Sequence, residues 1–160
     1  MSDLTVRPRE PGDRAAVEPF LARWHSAVVA RNGVLERPLE HPALVACRGE
    51  RLIGVLTYIL DGPEGEILTL HADERGGGVG SALVEEVVRI AARAGCRRLR
   101  VVTTNDNVDA LRFYQRRGFR LAALRAGAVD ESRRRLKPAI PEVGEHGIPI
   151  RDELELERAP

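Results

Sequence analysis

The 160-residue sequence predicts an α/β fold, a mixed sheet with helices packed on it. Three observations lead there. Short runs rich in Val, Leu and Ile alternate apolar and polar positions, as half-buried strands do. Between them lie segments whose apolar residues recur at helical spacing. Between residues 66 and 103 the order is strand, glycine turn, helix, strand, which requires a parallel, right-handed crossover, whereas the first half supplies antiparallel hairpins.

Residues 4–7 alternate and open the chain as a strand. Pro11-Gly12-Asp13 is a turn, and Asp13 is placed to cap a helix over residues 14–25. Val17, Phe20, Leu21 and Trp24 recur on one face of it, which assigns all four, Trp24 included, to the core. Residues 26–41 are read as a second helix followed by a loop. Residues 44–47 and 52–60 are strands parted by the Gly49-Glu50 turn. Asp61-Gly62-Pro63 closes that arm, and residues 66–72 form the next strand. The glycine turn then opens a long helix with Leu83, Val84, Val87, Val88 and Ala91 on one face and Glu85, Glu86, Arg89 and Arg93 on the other. Gly95 suits its left-handed terminus. Residues 99–103 are a strand. Asn107 or Asp109 caps a short helix that Gly118 ends, and residues 119–124 and 150–156 complete the strands.

Composition narrows the function. The length suits one domain over residues 1–160. Hydrophobic residues are 43%, charged residues 31% and aromatics 4%, so Leu, Val, Ile and Ala build the core. A net charge of +1 argues against a nucleic-acid partner. No apolar run approaches the roughly 20 residues that span a bilayer. Residues 1–10 lack the apolar core of a signal peptide, so no membrane partner and a cytoplasmic location are expected. Cys47 and Cys96 show no metal or disulfide spacing and are read as reduced, buried residues, with no metal expected. Lys137 is the only lysine beside 24 arginines. Charge is divided along the chain: residues 97–137 hold 12 basic and 4 acidic residues, and residues 142–157 hold 6 acidic residues and one Arg. An acidic tail can attract a cationic amine.

Two stretches carry chemistry. Arg75-Gly76-Gly77-Gly78-Val79-Gly80-Ser81 joins a strand end to a helix start. The first helical turn has unpaired N–H groups at a positive dipole end, and glycines let phosphates approach the backbone. The direct reading is a phosphate or pyrophosphate ligand. A Walker loop fails, because Gly80 is followed by Ser81-Ala82; the dinucleotide fingerprint fails, because its third glycine would fall on Ser81 or Leu83. Next, Thr103-Thr104-Asn105-Asp106-Asn107 leaves a strand and opens a helix with Ala110, Phe113 and Tyr114. The Asn105 and Asn107 amides can bond an extended ligand, and Ala110 keeps the helix surface low beside it. Tyr114 lies two helical turns after Asn107 on the same face, where a phenol can donate a proton to a leaving group.

Together these stretches resemble the GNAT superfamily of acyl-CoA-dependent N-acyltransferases. Arg75-x-x-Gly78-x-Gly80 follows its Gln/Arg-x-x-Gly-x-Gly/Ala pattern, and Asn107-x-x-Ala110-x-x-Phe113-Tyr114-x-x-x-Gly118-Phe119 is similar to its later segment. The tail from Lys137 to Glu153 looks like a bacterial subgroup of unassigned substrate. The resemblance implies a mixed, mostly antiparallel sheet of about seven strands with four helices packed on both faces. It implies an acetyltransferase moving acetyl from acetyl-CoA directly to a primary amine, on a small molecule or a protein, in a ternary complex. Main-chain groups of Leu70, His71 and Ala72 would pair with pantetheine. The N–H groups of Arg75, Gly76, Gly77, Gly78, Val79, Gly80 and Ser81 would hold the pyrophosphate. Asn105, Asn107, Ala110 and Phe113 would flank the arm, and Tyr114 would protonate the thiolate. Glu66 is the first choice of base and His71 the second, its ordinary pKa being about 6.5. The connection Ala72-Asp73-Glu74 is shorter than is common in the family. A non-catalytic acyl-CoA sensor and a nucleotide-binding protein of another class are the alternatives. The Pro-rich stretch 138–149 could cross to a second copy in a homodimer.

Overall fold

The computed structural model describes residues 3–74 and 76–160. In chain order it runs β1 (Leu4–Pro8), α1 (Arg14–Arg23), β2 (Val29–Arg31), β3 (Val34–Glu36), β4 (Ala43–Arg48), β5 (Arg51–Asp61), β6 (Glu64–Ala72), α2 (Val79–Arg93), β7 (Arg98–Thr104), α3 (Val108–Arg116), β8 (Arg120–Arg125), α4 (Ala128–Arg135) and β9 (Glu153–Arg158). Seven strands belong to the main sheet, mostly antiparallel, and β2 and β3 form a separate ribbon. The chain divides into two compact units, one of residues up to 28 and 37–99, the other of residues 29–36 and 100–159. None of the helices among the described residues is long and apolar enough to cross a membrane.

In the first unit β1, β4, β5 and β6 are neighbours in that order and antiparallel throughout. Two helices cover opposite faces of this sheet. Val17, Phe20 and Leu21 of α1 pack on Ala43, Val45 and Val55. The alternate positions Ala46 and Gly54 face α2. A Cβ on Gly54 would stand 2.8 Å from Val79 and 3.1 Å from Leu83, so this glycine lets the first turn of α2 settle against the sheet. Val79, Leu83, Val84, Val87 and Ala91 form the buried stripe of α2, close to the face expected from its spacing. In the β5–β6 pairing the register shifts after Thr57, leaving Leu68 as the extra residue of a bulge.

In the second unit β7, β9 and β8 are neighbours in that order, with β8 and β9 antiparallel. Alternate residues of β9 put Glu153 and Glu155 on one face, both buried. Arg125 reaches both, Glu153 at 3.1 Å and Glu155 at 3.4 Å, and Arg100 approaches Glu155 at 3.6 Å. The β2–β3 turn closes the set, since the Asn32 N–H donates to Glu153 at 3.2 Å. Buried carboxylates are tolerable here because each is paired with a guanidinium.

Four expectations change. Residues 26–41 are not helical: they hold the β2–β3 hairpin and a short 3₁₀ turn at Pro38–Glu40. The reason is Asn32-Gly33, both at positive φ (53° and 75°), the dipeptide that closes a two-residue hairpin. The fourth helix is instead α4. Asp13 does not cap α1; its carboxylate accepts two bonds from Arg7 at 2.7 and 2.8 Å and one from the Glu10 N–H. Trp24 is 40% exposed rather than core, because α1 ends at Arg23. Cys96 is buried as expected, while Cys47 is only half-buried; both are free thiols.

Candidate active site

The expected site residues fall in both units, and each half is built locally. In the first unit they lie on the last residues of β6, the glycine bend and the start of α2. Leu70 pairs with Leu56 and His71 with Val55, so these neighbours point to opposite faces of the sheet. Ala72 is the last residue of β6. The Asp73 N–H still donates to Ile53 at 2.8 Å before the chain leaves the sheet. Arg75 lies outside the described residues. Gly76 and Gly78 adopt positive φ, 72° and 77°, conformations that disfavour a side chain. Gly76, Gly77 and Gly78 are exposed, whereas Val79 is buried. The bend is therefore presented to solvent while the first residue of α2 is anchored beneath it. No side chain caps α2, and its first turn holds no acidic residue. The first-turn amides of Val79, Gly80 and Ser81, at the positive end of a fifteen-residue helix, are suited to an anion.

Two acidic residues precede the bend, and each is neutralised. Asp73 accepts two bonds from Arg23 at 2.9 and 3.0 Å, which hold its carboxyl below the usual range, with Trp24 as a further donor. Glu74 accepts from Arg48 Nε at 3.0 and 3.2 Å. Neither ion pair was foreseeable from spacing, because Arg23 and Arg48 come from α1 and β4.

Register places Glu66, Thr69 and His71 on the face of the sheet that α1 covers. Glu66 is 4% exposed and buried opposite Ile59. Thr69 shares a 2.6 Å hydroxyl–hydroxyl bond with Thr57. His71 stacks on Trp24 with ring centroids 5.1 Å apart and planes 6° from parallel, and its Nε2 lies 2.7 Å from the Ser26 hydroxyl. Burial pushes the His71 imidazole down to about 4. At neutral pH it is uncharged and a weak base, with one ring nitrogen committed to Ser26.

In the second unit the sites follow β7. Asn105 was expected to face a ligand, but its side chain is spent on the chain itself. Its Oδ1 accepts from the N–H groups of Arg151 and Asp152 at 2.9 and 3.0 Å, and its Nδ2 donates to the Pro149 carbonyl at 2.9 Å. It ties residues 149–152 to the end of β7. Asn107 caps α3: its Oδ1 accepts from the Ala110 N–H at 3.1 Å. Its Nδ2 bonds none of the described residues and remains a donor.

Tyr114 is the buried residue of α3, held edge-on between Phe113 and Phe119 at centroid distances of 5.1 and 5.3 Å. Burial raises its phenol above the ordinary value, so it keeps its proton at neutral pH. Arg117 lies over the Phe113 ring at 3.6 Å and donates to the Phe113 carbonyl at 2.8 Å, which fixes that ring; Ala110 is half-buried beside it. Gly118, at φ 87°, ends the helix with the paired bonds Gly118 N–H to Gln115 and Phe119 N–H to Tyr114. One exposed to half-exposed cluster escaped the sequence reading: Asp109, Glu145 and His146 bring donor atoms within 4.8 Å of one another.

Comparison with known proteins identifies the family. The sequence model of the acetyltransferase (GNAT) family matches residues 7–119. The uncharacterized protein YdhI of Bacillus subtilis is 48% identical over 137 residues, 84% of each chain. Its compatriot YxbD is 41% identical over 104 residues, 65% of each chain. Among solved structures, an IAA acetyltransferase from Bacillus cereus superposes with a TM-score of 0.72 at 22% identity, covering 99% of this chain and 100% of that one. A Bacillus subtilis acetyltransferase in complex with CoA gives 0.70 at 21% identity, covering 99% of each. At these identities the structures speak for the fold, while the family match and YdhI speak for kinship. The chain belongs to the GNAT family of acetyltransferases.

Proposed function

We propose that this protein transfers the acetyl group of acetyl-CoA directly to a primary amine. The observation that carries the reading is the start of α2: a helix with no side-chain cap and no first-turn acid, opened by glycines at positive φ. Such a terminus fits a diphosphate. The main chain of Leu70, His71 and Ala72 pairs with the pantetheine amides as an added strand would. The N–H groups from Arg75 to Ser81 take the diphosphate, and the spare Nδ2 of Asn107 donates to a pantetheine carbonyl.

The reaction needs a neutral amine, a carbonyl carbon within reach, and a stabilised thiolate. Glu66 accepts the proton of the ammonium, directly or through a water. The amine nitrogen then bonds to the thioester carbon as the carbon–sulfur bond breaks, and the nitrogen gives up its second proton to solvent. Tyr114 donates to the departing sulfur. A phenol held above its ordinary value near 10 is a weaker acid than a thiol near 8.5, so its contribution is mainly a hydrogen bond to the developing charge, with the sulfur's proton completed from solvent.

The test is thiol release from acetyl-CoA across a panel of small amines and peptides with free amino groups, run beside Tyr114→Phe. Turnover that falls by about tenfold or more in Tyr114→Phe supports the assignment. An unchanged rate removes Tyr114 from the chemistry. CoA binding with no turnover on any amine leaves the sensor reading in its place.

A further inference from the structure

We propose that Arg48 is a second cation of the diphosphate site, supplied from the far end of β4 and held there by Glu74. The inference rests on the coenzyme reading above. The glycine bend has little side-chain mass of its own, so something must support its backbone and set the charge beneath it. Glu74 and Arg48 do both. A Cβ built on Gly77 would stand 2.9 Å from the Glu74 carboxylate and 3.6 Å from Arg48 Nη2, so the ion pair lies directly against the bend. Gly77 has no positive φ, and the ion pair lies beside the place its Cβ would take.

Charge gives the reason for a pair rather than a lone acid. A carboxylate this close to a bound diphosphate would repel it. The Arg48 guanidinium lies between a third and a quarter exposed, in contact with Glu74 through Nε at 3.0 Å, with its Nη2 3.6 Å from where a Gly77 Cβ would stand. A guanidinium can serve a carboxylate with one edge and a phosphate with another, which an ammonium cannot do as well. Asp73 is handled separately by Arg23, so each acid of the short connection has its own counter-ion.

The test measures CoA affinity by calorimetry and steady-state constants for acetyl-CoA and for S-acetyl-pantetheine, which lacks the diphosphate. Wild type is compared with Arg48→Ala, Arg48→Lys, Glu74→Gln and the Arg48→Ala/Glu74→Gln double variant, with thermal unfolding as a folding control. We expect Arg48→Ala to weaken CoA by about tenfold or more, raising KM for acetyl-CoA with little change in kcat, and to leave S-acetyl-pantetheine unaffected. The double variant should recover only part of the loss, since the repelling carboxylate goes but the cation is still missing, and Arg48→Lys should fall between; full recovery would reduce Arg48 to a counter-ion of Glu74 and overturn the proposal. Raised salt should shrink the difference. Equal CoA affinity in wild type and Arg48→Ala overturns the proposal, as does an equal loss for S-acetyl-pantetheine, the mark of general damage. Wild-type protein that ignores CoA overturns the coenzyme reading and this inference with it.

Discussion

Helices α2, α3 and α4 begin with the same physical problem and solve it differently. Each has first-turn N–H groups with no partner inside the helix. In α3 the Asn107 side chain answers one of them. Next to α4 the Gly127 N–H donates to Asp152 and the Val129 N–H to Arg151, so residues 151 and 152 take up that end. In α2 no side chain caps the end, the preceding residues are exposed glycines, and the acids just upstream are paired with arginines. Of these three starts, that of α2 is the one with no described cap. Stability and binding should therefore separate at these ends.

The largest effect is expected from filling the open end. Gly78→Asp puts a carboxylate at the positive end of α2, at a φ of 77° that Asp tolerates better than most residues. CoA affinity should fall about 100-fold, near 2.7 kcal/mol, while the melting temperature changes little. Gly54→Val is the reverse case. It forces a branched side chain against Val79 and Leu83 and should cost about 1–3 kcal/mol in urea unfolding, displacing the start of α2 and weakening CoA with it.

Asn107 splits the two roles within one residue. Asn107→Ala removes the cap and should lower stability by about 1 kcal/mol as well as weakening acetyl-CoA. Asn107→Asp keeps the accepting oxygen and loses only the Nδ2 donor, so it should unfold like wild type yet still raise KM for acetyl-CoA. A wild-type KM in Asn107→Asp would mean that Asn107 is a cap and nothing more.

At neutral pH the smallest effect is that of His71, which is felt only on acidification. His71 is held down to about 4 in the folded chain, against about 6.5 unfolded. The unfolded chain binds the extra proton, so the contribution is fully present above about pH 6.5 and is lost as pH falls toward 4, by up to about 3 kcal/mol. Trp24 is the only tryptophan and stacks on His71, so its fluorescence reports the protonation. A midpoint near 6.5 instead of near 4 would contradict the burial of this imidazole.

Legibility in the sequence followed the strength of local physics. The strands of the first unit and the apolar stripe of α2 could be read because period and burial agree there. Asn32-Gly33 was a local turn signal overlooked in a stretch of mixed period. Helix α4 was missed because Val129 is its one buried apolar residue and the rest is charge or small polar groups. At the site, glycines and the Asn107 cap were legible because they act within a few residues. The spending of Asn105 on residues 149–152, the stacking of Trp24 on His71 and the pairs of Asp73 and Glu74 are long-range, and no spacing rule announces them.

The central claim is that the first-turn amides of α2 grip a diphosphate. An NMR titration of ¹⁵N-labelled protein tests it most directly, following the amide resonances of Gly76, Gly77, Gly78, Val79, Gly80 and Ser81. CoA should shift these resonances strongly, and pantetheine, without the diphosphate, should not. Saturation with CoA that leaves them in place, while other amides move, would contradict it.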